Sequence, residues 1–158
     1  MDSDFAGIVT NEFGKGKVVY FANTIDSLCY FNGHEDFTEV LGNAIDYVSG
    51  SRYLISTNAY RSVHVNVITS RSSDSGSDFI LSFVNTTGTA MQPIKEIVPV
   101  GKFYVNIAKG GRKYHGNSLL WGDGMTVYDR DDFITIEVNG LADYKSICIH
   151  MCENGLNT

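Results

Sequence analysis

The sequence predicts a mainly β chain of α+β class, an antiparallel β-sandwich preceded by a strand–strand–helix piece of an incomplete α/β domain. Three observations carry this. After Gly50, short apolar or alternating runs recur between turn-rich separators, the pattern of stacked antiparallel sheets. Before Gly50 lies the strongest helical pattern, with Phe37, Val40, Leu41, Ala44, Ile45 and Val48 on one face. A length of 158 residues admits one ordinary domain, or one small domain plus a piece of another.

The elements follow in order. Phe5-Ala6-Gly7-Ile8-Val9 reads as a strand, and Val18-Val19-Tyr20-Phe21 as its return. Gly14 and Gly16 in the turn between them supply backbone angles that other residues resist. Leu28-Cys29-Tyr30-Phe31-Asn32-Gly33-His34 reads as an aromatic loop leading to the helix. Asp36 can cap that helix, Glu39 completes a capping box, and Gly50 closes it. Two strands and one helix do not bury a core of their own, so residues 1–50 either pack on the sandwich or are the tail of a larger α/β domain.

Beyond the seam, Tyr53-Leu54-Ile55 is a short apolar run. Val63, Val65 and Val67 alternate with polar neighbours at the period of a half-buried strand. Residues 70–78 form a polar, Ser-rich stretch that need not be ordered. Further strands are predicted at 79–84, 94–98, 103–108, 118–121, 126–128, 133–138 and 144–150. Residues 51–158 thus form a sandwich of about eight strands.

Composition excludes several functions. With 18 acidic against 12 basic side chains and a formal charge of −6, binding to nucleic acid or to an anionic membrane is not expected, because both need a positive surface. No apolar run approaches the ~20 residues of a membrane span. Met1-Asp2-Ser3-Asp4-Phe5 carries acids where a signal peptide carries Lys or Arg, so a cytoplasmic location is expected. Cys29, Cys148 and Cys152 are odd in number and form no C-x-x-C pair, unlike a disulfide framework. His34, His64, His115 and His150 show no ligand spacing with them. His150 lies between Cys148 and Cys152, so a metal cluster there is conceivable, yet the expectation is reduced thiols, with Cys148 facing a core as a small hydrophobe, and no metal or cofactor.

The residues that invite chemistry are few. Asp129, Asp131 and Asp132 sit in a turn between strands, where Asp commonly serves local hydrogen bonding. Glycosidase chemistry requires two carboxyls facing a cleft. With Asp123 the cluster could hold Ca²⁺, but its spacing is not an EF-hand loop. Gly14-Lys15-Gly16-Lys17 fails the phosphate-loop pattern, and no G-x-S-x-G elbow marks a hydrolase triad. Trp121, Tyr114, Tyr128, Tyr104 and Phe103 lie near Asp123, Arg112 and Asn117 in sequence. Such aromatics fill cores and cross-strand positions. The functional alternative is carbohydrate stacking, with Trp121, Tyr114, Tyr128 and Asp123 as the candidate contacts. Asn85-Thr86-Thr87 matches a glycosylation sequon, and His34 is assigned no chemistry.

Residues 11–21, then Gly33-His34-Glu35-Asp36 and a helix ending Asn43-Ala44-Ile45-Asp46-Tyr47-Val48, resemble the end of the glutamine-amidotransferase-like domain, also called the β-galactosidase trimerisation domain. Phe79-Ile80-Leu81-Ser82-Phe83-Val84-Asn85-Thr86-Thr87-Gly88, residues 94–100 and residues 141–149 resemble the C-terminal β-sandwich of the same glycoside-hydrolase-like proteins. The resemblance implies that residues 1–50 are a C-terminal remnant of the first domain and residues 51–158 the second. In such proteins the sugar chemistry belongs to a (β/α)₈ barrel of roughly 250 residues, so no catalytic residue carries over and the chain itself is not expected to be an enzyme. The expected role is structural: packing on a catalytic barrel, or aiding assembly of a homo-oligomer. The alternatives are a stand-alone carbohydrate-binding module and a small hydrolase built on the Asp cluster.

Overall fold

The structure, a computed structural model, describes residues 6–32, 35–50, 53–71, 76–88 and 96–152. Gly33, His34, residues 72–75, Ile94 and Lys95 of the readings above lie outside the described residues, as does Phe5 of the first strand. The chain divides into two compact units, Met1–Tyr53 and Leu54–Thr158.

In the first unit, β1 (Ile8–Phe13) and β2 (Gly16–Phe21) pair antiparallel from Ile8↔Phe21 to Phe13↔Gly16. The two-residue loop between them needs Gly14, whose φ is 62°. Two helices follow, α1 (Ile25–Asn32) and α2 (Glu35–Ser49). The aromatic stretch predicted as a loop is therefore largely helix α1. Its apolar spacing is too short to register as a helical period. Helix α2 begins before Asp36, which lies in its first turn rather than at the cap, and Gly50 closes it at a φ of 63°. Phe37, Leu41 and Ala44 are half-buried along the predicted face, but no residue of α2 is fully buried. Lys17 lies over the Tyr47 ring at 4.5 Å, and the Tyr47 hydroxyl donates to Glu12.

The second unit is two four-stranded antiparallel sheets. The first has the order β4 (Val63–Arg71), β5 (Gly76–Asn85), β10 (Tyr144–Cys152), β7 (Lys113–Trp121). The second has the order β3 (Ile55–Thr57), β6 (Phe103–Ala108), β9 (Phe133–Val138), β8 (Met125–Asp129). Alternation places Phe79, Leu81 and Phe83 of β5, with Ile147, Ile149 and Met151 of β10, on one inner face. They meet Phe103, Val105 and Ile107 of β6 and Ile134, Ile136 and Val138 of β9 in one core. Phe83 and Phe103 contact edge to face at 5.8 Å. The expectation of a mainly β, antiparallel fold is met.

Three details differ from the sequence reading. Residues 70, 71 and 76–78 of the polar stretch pair as strand, Ser70 with Asp78 and Arg71 with Ser77. Residues 96–99 form no strand; Val100 makes only an isolated bridge to Leu141. Pro99 offers no amide to a ladder, and side chains hold this segment instead. Thr87 Oγ1 donates to the Val98 carbonyl and accepts from its amide, both at 2.9 Å. Asn85 is the third. Only 4% exposed, it donates to the carbonyls of Val98 and Ala142, each at 2.8 Å, and of Leu141 at 3.3 Å. The sequon asparagine is a buried clamp whose amide is not free to carry a glycan.

Candidate functional site

Strand β7 decides where the candidate sugar contacts go. It lies at the edge of its sheet, and its pairing with β10 slips twice. Gly116 faces His150 while Tyr114 faces Met151, so His115 is an extra residue; likewise Leu119 faces Ile147 while Trp121 faces Ser146, so Leu120 is extra. Each bulge reverses which face the following residues occupy. Without them Tyr114 would share a face with Gly116 and Ser118. With them Tyr114 turns inward with Met151 and packs on the core. Ser118 and Trp121 turn outward, with Cys148 and Ser146.

Trp121 is consequently 65% exposed. Together with Leu119, Leu120, Gly122 and Asp123 it lines a shallow depression of about 570 Å³. The turn beneath it is held tightly. Lys145 Nζ donates to the Asp123 carbonyl at 2.6 Å, and a Cβ at Gly122, where φ is 80°, would sit 2.8 Å from Lys145 Cγ.

Tyr114 lines a different depression, of about 630 Å³, with Lys109–Lys113 on one side and Asp129, Asp131 and Asp132 on the other. Its hydroxyl donates to Asn117, and burial first, then the charge of Asp129, pushes its pKa up. Lys109 pairs with Asp129 at 2.6 Å, so one of the three turn carboxylates is already balanced by a cation. Arg112 stacks 5.1 Å above the core ring of Phe79. Tyr128 lies on edge strand β8 beneath the Arg130 guanidinium, at 5.3 Å. Phe103 is fully buried.

The four predicted sugar contacts are therefore not gathered into one site: Trp121 and Asp123 share a depression, and Tyr114 and Tyr128 lie elsewhere. Asp123 precedes β8 while Asp129 ends it, and the strand between them alone spans ~13 Å. Asp123 and the Asp129–Asp132 turn do not meet around one Ca²⁺.

A further group lies at the stretch where the sequence sets His150 between Cys148 and Cys152. Cys148 is buried, yet it points to the outer face of its sheet rather than to the core, because the inner positions of β10 belong to Ile147 and Ile149. There its sulfur lies 3.8 Å from His150 Nδ1, which is 2.7 Å from Asp78 Oδ1, and His150 Nε2 is 3.0 Å from Ser118 Oγ. Burial, then the Asp78 charge, raises the Cys148 pKa. The one signal in the sequence was the Cys148-x-His150 spacing, which puts two ligating side chains on one face of a strand.

No family model and no curated protein matches the sequence. Among solved structures, the fold is similar to part of alpha-L-fucosidase isoenzyme 2 from Paenibacillus thiaminolyticus, with a TM-score of 0.67 at 12% identity. The match covers 94% of this chain and 22% of that one. Among the described residues, no helix is long and apolar enough to cross a membrane.

Proposed function

We propose that the chain is a non-catalytic accessory region of a glycoside-hydrolase-like protein, packing on a catalytic barrel or aiding oligomer assembly. The observation that carries this reading is the extent of the fold match: nearly all of this chain corresponds to about a fifth of a glycoside hydrolase. In the same reading residues 1–50 are the end of an amidotransferase-like, trimerisation-like domain and residues 51–158 its β-sandwich neighbour. The scarcity of buried residues among the described residues of the first unit fits an element that completes its core elsewhere. The three unpaired cysteines fit a reducing compartment such as the cytoplasm. The test is a panel of nitrophenyl glycosides, α-L-fucoside included, with the purified chain. No turnover above buffer is expected, and an in-frame barrel is expected in the DNA upstream of Met1. Turnover by the chain alone would overturn the proposal.

One observation favours a second reading, a carbohydrate-binding module: Trp121 is exposed beside Asp123 over a shallow depression. A flat exposed indole suits the apolar face of a pyranose ring, and the carboxylate suits its hydroxyls. Because Trp121 is the single tryptophan, oligosaccharide titrations followed by its fluorescence read this site alone. A saturable change is expected on this reading, with Asp123→Asn weakening it. A flat response to every sugar rejects it.

A further inference from the structure

The outer face of the β4–β5–β10–β7 sheet brings together three side chains from two strands far apart in sequence. Antiparallel pairing sets Asp78 of β5 directly opposite His150 of β10. Cys148 lies two residues before His150 on the same face, with Ser118 of β7 opposite it. One ligand atom from each of Asp78, Cys148 and His150 lies within 4.8 Å of the others. We propose that Asp78 Oδ1, Cys148 Sγ and His150 Nδ1 form a three-ligand site for a divalent transition metal of the zinc class, with the fourth position open to water or an exogenous ligand.

The donor set fits this class. Zinc takes thiolate, imidazole and carboxylate ligands together, usually in a tetrahedron. Around such an ion, sulfur and nitrogen ligands sit ~3.6 Å apart and oxygen and nitrogen ligands ~3.3 Å apart, as bond lengths of about 2.3 and 2.0–2.1 Å require. The Cys148–His150 separation of 3.8 Å is near the first value, and the Asp78–His150 separation of 2.7 Å must open by about half an ångström. The half-exposed Asp78 carboxylate must also swing off the Nδ1 axis that its hydrogen bond now occupies, so that the ion lies between the two ligands. Charge also balances: one thiolate and one carboxylate neutralise a dication, so the loaded site leaves no net charge against the partly buried sulfur.

The outer shell is in place as well. A ligating imidazole is commonly fixed by a hydrogen bond from its other nitrogen, and Ser118 Oγ stands 3.0 Å from His150 Nε2. With a neutral imidazole whose Nδ1–H donates to the Asp78 carboxylate, Nε2 accepts from the Ser118 hydroxyl. Binding moves the imidazole proton to Nε2, which then donates to Ser118. The Cys148 thiol loses its proton to solvent as the metal–sulfur bond forms, so one proton leaves per ion. The order Ser118–His150–Asp78 also matches a hydrolase relay. That reading does not use the thiol, and none of Ser118, His150 and Asp78 lines either of the depressions described above.

The test is titration of the reduced, chelator-treated chain with Co²⁺ alone and Zn²⁺ alone. One Co²⁺ per chain is expected, with thiolate-to-cobalt charge-transfer absorption that Zn²⁺ displaces. Cys148→Ser abolishes that absorption, whereas Cys29→Ser and Cys152→Ser leave it intact. Asp78→Asn and His150→Gln weaken binding more than the ~10-fold expected of Ser118→Ala, an outer-shell change. If Cys148→Ser does not fold, as judged by circular dichroism, the Asp78 and His150 variants decide. No absorption in the parent chain, absorption that survives Cys148→Ser or vanishes in Cys152→Ser, or full affinity in both Asp78→Asn and His150→Gln overturns the site. Nitrophenyl acetate turnover lost in Ser118→Ala would reassign the row to acyl transfer.

Discussion

The two units carry equally legible patterns and use them differently. Helix α2 has a full apolar stripe, yet none of its residues is buried, and β1 is exposed along its whole length. Among the described residues of the first unit only Ile25 is a buried hydrophobic. In the second unit, alternation of similar strength on β5, β6, β9 and β10 ends in a core of fully enclosed Phe, Leu, Ile, Val and Met side chains. Periodicity states which face an element offers. Burial depends on whether another apolar face is there to meet it.

This contrast can be broken by experiment, most sharply through hydrogen exchange. Amides of β5 and β10 should be protected at least ~10³-fold more than those of α2, since global stability of even ~5 kcal/mol sets the first while local opening sets the second. Equal protection would mean that the first unit has a core of its own. Core truncation comes next. Phe83→Ala should cost about 3–5 kcal/mol by leaving a cavity against Phe103, whereas Leu41→Ala on α2 should cost less than ~1 kcal/mol. Thermal or urea unfolding measures both, and similar losses would erase the distinction.

Polar clamps within the second unit sharpen it further. Asn85→Ala should cost about 2–3 kcal/mol, because it strips a buried donor from three carbonyls. It should also free residues 96–99 to proteolysis before the sheets unfold. The smallest expected effect is electrostatic. The Lys102 ammonium, 3.0 Å away, holds the Glu137 carboxyl below its ordinary range, and Glu137 raises Lys102 in return. A lowered acid contributes stability above its ordinary value of 4.5 and loses it as pH falls through the lowered one. A raised lysine contributes below its ordinary 10.5 and loses it as pH rises further. Lys102→Met should therefore be slightly less stable than the parent near neutral pH. The gap should close at acid pH; one that widens there would contradict the pairing.

Much of the fold was readable in the chain. The strands at 103–108 and 133–138 occur with the bounds their alternation gave, and Gly50 closes the helix that the apolar spacing announced. Reading was poorest where side chains rather than periodicity set the backbone. Residues 96–99 have strand-like composition but are held by Asn85 and Thr87. The Ser-rich stretch has loop-like composition, but its ends are drawn into the β4–β5 ladder by their neighbours. The candidate sugar residues were identified by type alone. Their separation into different places followed from register, which no local pattern encoded.

By itself the sequence determined which segments extend, which coil and which faces are apolar, because those follow from the periods of 2.0 and 3.6 and from turn chemistry. Tertiary structure alone decided who faces whom. The bulges at His115 and Leu120 turn Tyr114 inward and Trp121 outward, although both lie on one strand. Pairing across 72 residues sets Asp78 against His150. A strand's side chains alternate by its own geometry, but the identity of the neighbour, and each reversal of face, is fixed only when another strand pairs with it.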